Sequence, residues 1–442
     1  MLSRFQLDED NDTGHEATAA YFAKAPEYAY KAVYSKSRLF LRDLVSREVE
    51  REMPWLVAIQ CICRSPALDL LFVFTGMLGN HAFFMLALPF LHICGFGVFA
   101  RGLSFVILWS VYFSGVAKDY ISAPRPASPP VVQITRSPAH TFEYGFPSSH
   151  TTYVVATILY ISHYMLNVWG CPLHWVYTLW VVGSFIVIGR VYCGLHSFID
   201  VAGGVVIGTT EALAFILFYE KLDSLILSTA GPLYIATVLY LALSNIPRSL
   251  DLCPCCIDSF CATSVTLGLA IGAWAHARMP FLWRNGVADS IAWDKSFTLA
   301  QNAVRSAITI VLVVSWKVKS KPMFVALLKM LLCSHNAAKA LVVHSDAQSC
   351  YNCESDSNTI VASESDGKQH SDIDGRHQAA GSKEVSYQLP SAKCIKDGRY
   401  GTYDLMVTPE NLARIPIYAG IGVITYVAAP IAFYYLDLMP AQ

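Results

Sequence analysis

The chain is 442 residues long, 54% hydrophobic and 15% charged, with a mean hydropathy of +0.41 and a formal net charge of −1. So small a charged share excludes an ordinary water-soluble domain, and a near-neutral chain without a long basic tract excludes a nucleic-acid partner. Several runs approach the ~20 apolar residues that cross a bilayer, which predicts an all-α polytopic membrane protein.

The start, Met1 to Glu52, lacks the basic-then-apolar pattern of a signal peptide. It opens acidic at Asp8, Glu9, Asp10 and Asp12 and turns mixed and basic around Lys31, Lys36, Arg38 and Arg42, as a polar arm leading into an interfacial helix would. Residues 67–100 are apolar but broken by Gly76, Gly79, Asn80 and His81, so they form either one crossing or two short ones. That choice sets the side of the N-terminus. The mixed charge of residues 1–66 gives the positive-inside rule little to act on, and a cytosolic N-terminus, with the Asn11-Asp12-Thr13 sequon unmodified, is the expectation taken. His81 and His92 read as packing or interfacial residues.

A span over 103–117 ends at Lys118. Pro126, Pro129, Pro130 and Pro138 then exclude a helix through 127–146, which leaves a loop over the end of the spans. Arg136 and His140 are its candidate lid contacts, with solvated loop charges the favoured alternative. Pro147 suits the first turn of a helix that continues from Thr151 to about Trp169. Further spans follow over 175–188 and 197–219. In the latter, the Gly204-x3-Gly208 spacing permits close helix approach, and Glu211 is expected to bond to a neighbouring helix. Spans at 225–245 and 259–276, and a weaker pair at 303–316 and 322–333 separated by Lys317, Lys319 and Lys321, come next. Residues 345–392 have a disordered-linker composition, and a last span covers 415–436. The domains read as a polar arm (1–66), a transmembrane core (67–245), additional helices (246–333), a polar loop (334–414) and a final helix (415–442). Cys253, Cys255, Cys256 and Cys261 cluster between spans, and Cys350 and Cys353 form a lone C-x-x-C. Without a second ligand pair these read as thiols, a lumenal disulfide or acylation sites rather than a metal centre.

Three polar clusters interrupt the apolar sequence: Lys118 to Pro126, Pro147 to His150, and Gly189-Arg190 through His196 to Asp200. Ionisable groups at membrane edges are costly, so a functional site is the default reading. Lys118, Arg125 and Arg190 can clamp the oxygens of an anion, and Asp119 is expected to brace Lys118 or Arg125. An anion at the helix start beside Ser148 and Ser149 would meet unpaired N–H donors and the favourable end of the helix dipole. His196 and Asp200 are four apart, so on a helix the carboxylate can hold the imidazole. An oriented imidazole is a competent nucleophile, and His150 can protonate a leaving oxygen.

Lys-x6-Arg-Pro, Pro-Ser-x-His and Arg-x5-His-x3-Asp, in this order and on apolar segments, resemble the signature of the type 2 phosphatidic acid phosphatase (PAP2) superfamily. The longer strings Lys118-Asp119-Tyr120…Pro124-Arg125-Pro126 and Tyr144-Gly145-Phe146-Pro147-Ser148-Ser149-His150 resemble its sphingosine-1-phosphate phosphatase branch. The resemblance covers roughly residues 70–245. Ser149 stands where that signature usually has Gly, and Gly189 where it usually has Ser; neither change removes a charged participant.

The resemblance implies a PAP2-type helical bundle with extra C-terminal helices. It implies a phosphatase that uses neither metal nor cofactor and acts on a phosphorylated sphingoid lipid. His196 would be the nucleophile, Asp200 its partner and His150 the acid. Lys118, Arg125, Arg190, Ser148 and Ser149 would hold the phosphate. It further implies the endoplasmic reticulum membrane with a lumenal site, and leaves the oligomeric state open. The alternatives are a phosphatase of another lipid phosphate (phosphatidic acid or a polyprenyl phosphate) and an anion or lipid transporter using the same charges.

Overall fold

A computed structural model describes residues 27–78, 81–93, 96–135, 143–247, 249–251, 253–282, 298–336 and 409–438. Asn11, Arg136, His140, Cys350, Cys353 and the 345–392 segment lie outside the described residues. Among those described, every regular element is helical and none is a strand. The helices are α1 (Glu27–Val33), α2 (Lys36–Cys63), α3 (Pro66–Leu78), α4 (His81–Ile93), α5 (Gly97–Ile121) and α6 (Ser149–Asn167). There follow α7 (Leu173–Tyr192), α8 (Phe198–Leu227), α9 (Gly231–Ser244), α10 (Pro254–His276), α11 (Leu299–Asn336) and α12 (Pro409–Tyr435). Among the described residues, five helices (α5, α7, α8, α10 and α12) are long and apolar enough to cross a membrane. The chain is a multi-pass membrane protein.

Local sequence sets where the helices begin. Ser148 caps α6 by accepting from Thr151 N, and Ser197 and Asp200 cap α8 reciprocally. Each cap satisfies backbone donors that a helix start leaves open. The α6–α8 contact then follows from glycine. A Cβ on Gly204 would meet the Ser148 carbonyl oxygen at 2.7 Å, and one on Gly208 would meet that of Thr152 at 2.3 Å. Only bare backbone lets these two helices approach so closely, and the contact carries the start of α6 onto the start of α8.

Antiparallel succession does the rest. Lys118 ends α5, His150 starts α6, Arg190 ends α7 and Asp200 starts α8. All four therefore gather at one end of the bundle. Toward the far end, Phe99, Tyr160, Phe215 and Tyr219 pack in a buried cluster, and Arg101 makes a bidentate pair with Asp223 at 2.9 and 2.8 Å. Mid-bundle, Ser110 of α5 donates to Glu211 of α8, the interhelical bond expected of that carboxyl. His92 packs against the Tyr426 ring at 4.1 Å.

The structure decides one stretch that the sequence left open and revises two others. Residues 67–100 contain two helices of 13 residues, α3 and α4, before α5 begins. Each is about 20 Å long, short of a bilayer's ~30 Å core. The predicted span over 225–245 is divided: α8 runs on to Leu227, and α9 restarts at Gly231 with Pro232 in its first turn. A Cβ on Gly231 would lie 2.1 Å from the Ile226 carbonyl oxygen, so the tight turn requires that glycine. The pair predicted at 303–316 and 322–333 is one 38-residue helix. Lysine is a good helix former, so Lys317, Lys319 and Lys321 mark polarity without ending the helix.

The C-terminal helices pack directly on the core. Close α10–α12 contact again uses glycine, since a Cβ on Gly268 would lie 1.9 Å from the Ala419 carbonyl oxygen. Pro430 cannot donate to the Tyr426 carbonyl one turn earlier. Residues 424–428 loosen into a π turn there, and His276 Nδ1 supplies the donor at 2.9 Å.

Candidate active site

His196 stands in the short turn between α7 and α8 and is 2% exposed, as is Lys118 at the end of α5; Asp200 is wholly buried. His196 Nδ1 lies 3.5 Å from Asp200 Oδ2, a close approach longer than a good hydrogen bond. The same Oδ2 accepts from Ser197 N at 2.8 Å, so the helix cap fixes the carboxylate that faces the imidazole. On the opposite side of the ring, Arg125 Nη1 donates to His196 Nε2 at 3.1 Å. Arginine has no acceptor, so Nε2 must present its lone pair and the neutral ring carries its proton on Nδ1, toward Asp200.

Charge reinforces that state. Burial first, then the nearby Arg125, Lys118, His150 and Arg190, hold His196 well below the usual imidazole range. The ring is therefore neutral near pH 7, with an unprotonated Nε2 whose lone pair Arg125 holds. Asp200 and the capping box supply the orientation; the cations keep the proton off.

Arg125 is the hub. Besides His196 it donates to the Leu195 carbonyl at 2.6 Å and to Glu143 Oε2 at 2.7 Å, and Lys118 Nζ lies 3.5 Å from that same oxygen. The carboxylate bracing the two cations is thus Glu143, whereas no ion pair joins Asp119 to either among the described residues. Asp119 instead offers its backbone carbonyl to Arg38 at 2.6 Å. Arg190 is buried in the last turn of α7 beside Gly76 of α3, where a Cβ would collide with its guanidinium. No carboxylate pairs with Arg190 among the described residues. With three fixed cations facing two carboxylates, the cluster is net positive and suits an anion.

The second cluster sits differently. Ser148 is buried, its Oγ accepting from Thr151 Oγ1 at 3.0 Å and its N donating to the Asp200 carbonyl at 2.9 Å. Its hydroxyl oxygen is engaged in the cap, and its backbone N–H ties the start of α6 to the start of α8. Ser149 and His150 occupy the first turn of α6, partly exposed, with the His150 ring 5.2 Å from that of Tyr153.

Several positioning residues carry no motif. Gln60 of α2 donates to the carbonyls of Val132 and Tyr192 at 2.8 and 3.0 Å and accepts from Val132 N at 2.9 Å. It staples the proline-rich loop to the end of α7. Glu52 of α2 accepts from Ile199 N at the start of α8. Tyr34 bonds to Ser122, and the Asp251 and Leu250 backbone amides donate to Tyr144 and Tyr34. Gly145 lets residues 143–145 lie along 123–125: its N donates to the Ala123 carbonyl at 2.9 Å, and a Cβ there would sit 2.7 Å from the Pro124 carbonyl oxygen. Glu143 immediately precedes the Tyr144-to-His150 string, but its carboxylate, an unexpected group in an anion site, belongs to no motif spacing.

Residues 99–224, which contain every one of the predicted site residues, match a family model described as the PAP2 superfamily. The chain resembles that superfamily. A dihydrosphingosine 1-phosphate phosphatase of Schizosaccharomyces pombe is 36% identical over 54% of this chain and 59% of its own length. One of Saccharomyces cerevisiae is 32% identical over 57% and 64%, respectively. A human protein named sphingosine-1-phosphate phosphatase 2 is 31% identical over 47% of this chain and 52% of its own. The matches span about three fifths of the length of the first two relatives. No solved structure matches the chain. Within the PAP2 superfamily, the likeness is to the sphingoid-base phosphate phosphatases, the branch that the two longer strings resemble.

Proposed function

We propose that this protein is a lipid phosphate phosphatase that hydrolyses sphingoid long-chain base 1-phosphates to the free base and inorganic phosphate. The observation that carries the reading is His196, its Nε2 lone pair turned to Arg125 and its Nδ1 to Asp200, at the end of the bundle where Lys118, Arg190 and His150 also gather. The named relatives and the two motif strings support the substrate class.

In this reading the phosphate displaces Arg125 from Nε2 and takes oxygen contacts from Arg125, Lys118 and Arg190. Nε2 attacks phosphorus, the P–O ester bond breaks, and His150 gives its proton to the departing alkoxide. The phosphohistidine ring, now cationic, is steadied by Asp200. His150 then accepts a proton from water as its oxygen attacks phosphorus, which releases inorganic phosphate and restores the neutral ring. Catalysis of this kind is mostly positioning and preorganised charge.

The bundle end suits an amphiphile, whose headgroup enters the polar cluster while its chain stays in lipid. The resemblance to the sphingoid branch also supports the endoplasmic reticulum membrane, with the site facing the lumen. The test is phosphate release by purified protein in EDTA, in matched micelles of a phosphorylated long-chain base or phosphatidic acid. Vanadate-sensitive release, much faster from the long-chain base, is expected. Equal or reversed rates reject the sphingoid assignment; no release from either, with anion flux in vesicles, favours a transporter.

A further inference from the structure

An anion-binding pocket gains nothing from a carboxylate, yet Glu143 places one against two of its cations. Glu143 Oε2 is 2.7 Å from Arg125 Nη2 and 3.5 Å from Lys118 Nζ, and the other terminal nitrogen of the same Arg125 touches His196 Nε2. One guanidinium therefore separates this carboxylate from the proposed nucleophile. The Glu143 side chain is also the more open partner, 17% exposed against 4% for Arg125 and 2% for Lys118. Its position is built in, because the Gly145–Ala123 contact holds residues 143–145 along 123–125.

A dianionic phosphoryl group entering between Arg125 and Lys118 is repelled by that carboxylate unless the substrate brings a cation of its own. A long-chain base 1-phosphate does so: the carbon next to the phosphate-bearing one carries a primary ammonium. Resting on the phosphatase reading above, we infer that Glu143 is the specificity residue that pairs with this ammonium and selects amine-bearing phosphate monoesters over amine-free ones. On binding, phosphate replaces Glu143 as the partner of Arg125 and Lys118, and the ammonium replaces the two cations as the partner of Glu143. Arg125, Lys118 and Glu143 each keep a partner of opposite charge. An amine-free phosphate leaves the carboxylate facing the phosphoryl oxygens.

The experiment measures kcat/KM of the full-length protein in matched mixed micelles. Its substrates are a long-chain base 1-phosphate, the N-acetyl derivative and the amine-free alkyl phosphate of equal chain length. Wild type is expected to prefer the free amine at least about 10-fold, the lower end for a contact with a charged group. Glu143→Gln is expected to lower turnover of the amine substrate about 10- to 100-fold and to raise that of the amine-free one, bringing the ratio toward one. Glu143→Asp, which keeps the charge, should retain part of the preference. Equal wild-type rates on amine and amine-free substrates overturn the inference while leaving the phosphatase reading intact, whether or not a variant folds. Equal losses on both substrates in Glu143→Gln mean that Glu143 only positions Arg125, and equal gains mean that it only blocks the site; either result overturns it. Release of phosphate from none of the three by wild type removes the phosphatase reading, and the inference with it.

Discussion

In the proposed reading, single residues divide the chemistry between two imidazoles in different settings. His196 is buried and faces Arg125 and Asp200, whereas His150 is partly exposed in the first turn of α6. If His196 is the nucleophile, His196→Ala is dead on every substrate because no phosphoenzyme forms. His150→Ala should lose ~10²–10⁴ on the lipid, the usual range for general-acid help. It should lose distinctly less on an aryl phosphate, whose leaving anion needs no proton, provided that wild type turns the aryl compound over measurably. Equal losses by both variants on both substrates would refute this division of labour. The acid limb of kcat/KM offers a second check. Since burial and the surrounding cations depress the His196 pKa, protonation that disables Nε2 begins only well below pH 6.5. Removing a cation raises the pKa, so Lys118→Gln should shift that limb to higher pH. The substrate's own phosphate ionisation is common to both proteins and drops out of the comparison.

At the scale of elements, the start of α6, which carries His150, reaches the start of α8, next to His196, because the two helices pack directly. Gly208 has only 2.3 Å between a would-be Cβ and the Thr152 carbonyl oxygen, so Gly208→Ala forces backbone apart rather than a side chain aside. Overpacking of this kind costs about 1–3 kcal/mol. A lower thermal midpoint in detergent is expected, together with reduced kcat as His150 moves relative to His196. Unchanged stability and rate would mean that the helices separate without disturbing the site. Gly204 and Gly208 were legible as a close-packing pair from spacing alone, although only the structure identifies Ser148 and Thr152 as what they admit.

Over the whole molecule, the site draws on segments far apart in sequence. Tyr34 and Gln60 from the N-terminal segment, Val132 and Tyr144 from the loop, and Leu250 and Asp251 beyond α9 all enter hydrogen bonds around it. Residues 345–392 have no composition for a packed core, so their deletion should leave phosphatase activity of the solubilised protein within a few-fold. Collapse of activity at normal expression would show that the segment folds onto the site.

Membrane character, helical class and the residues Lys118, Arg125, His150, Arg190, His196 and Asp200 could be read from the chain itself, because charge is conspicuous in apolar sequence and motif spacing survives without a fold. Span limits were less legible. Lys317 to Pro322 resembles a break yet lies inside α11, since hydropathy records polarity while backbone hydrogen bonding decides continuity. Glu143, Gln60 and Tyr34 could not be placed at all from sequence. Their roles come from contacts across tens to hundreds of residues, as with Gly145 seating Glu143 beside Arg125. The exchange of Asp119 for Glu143 as the bracing carboxylate has the same origin: Asp119 adjoins Lys118 in sequence, but neighbours along a helix point to different sides, and only tertiary packing brought a carboxylate to the side where the cations face.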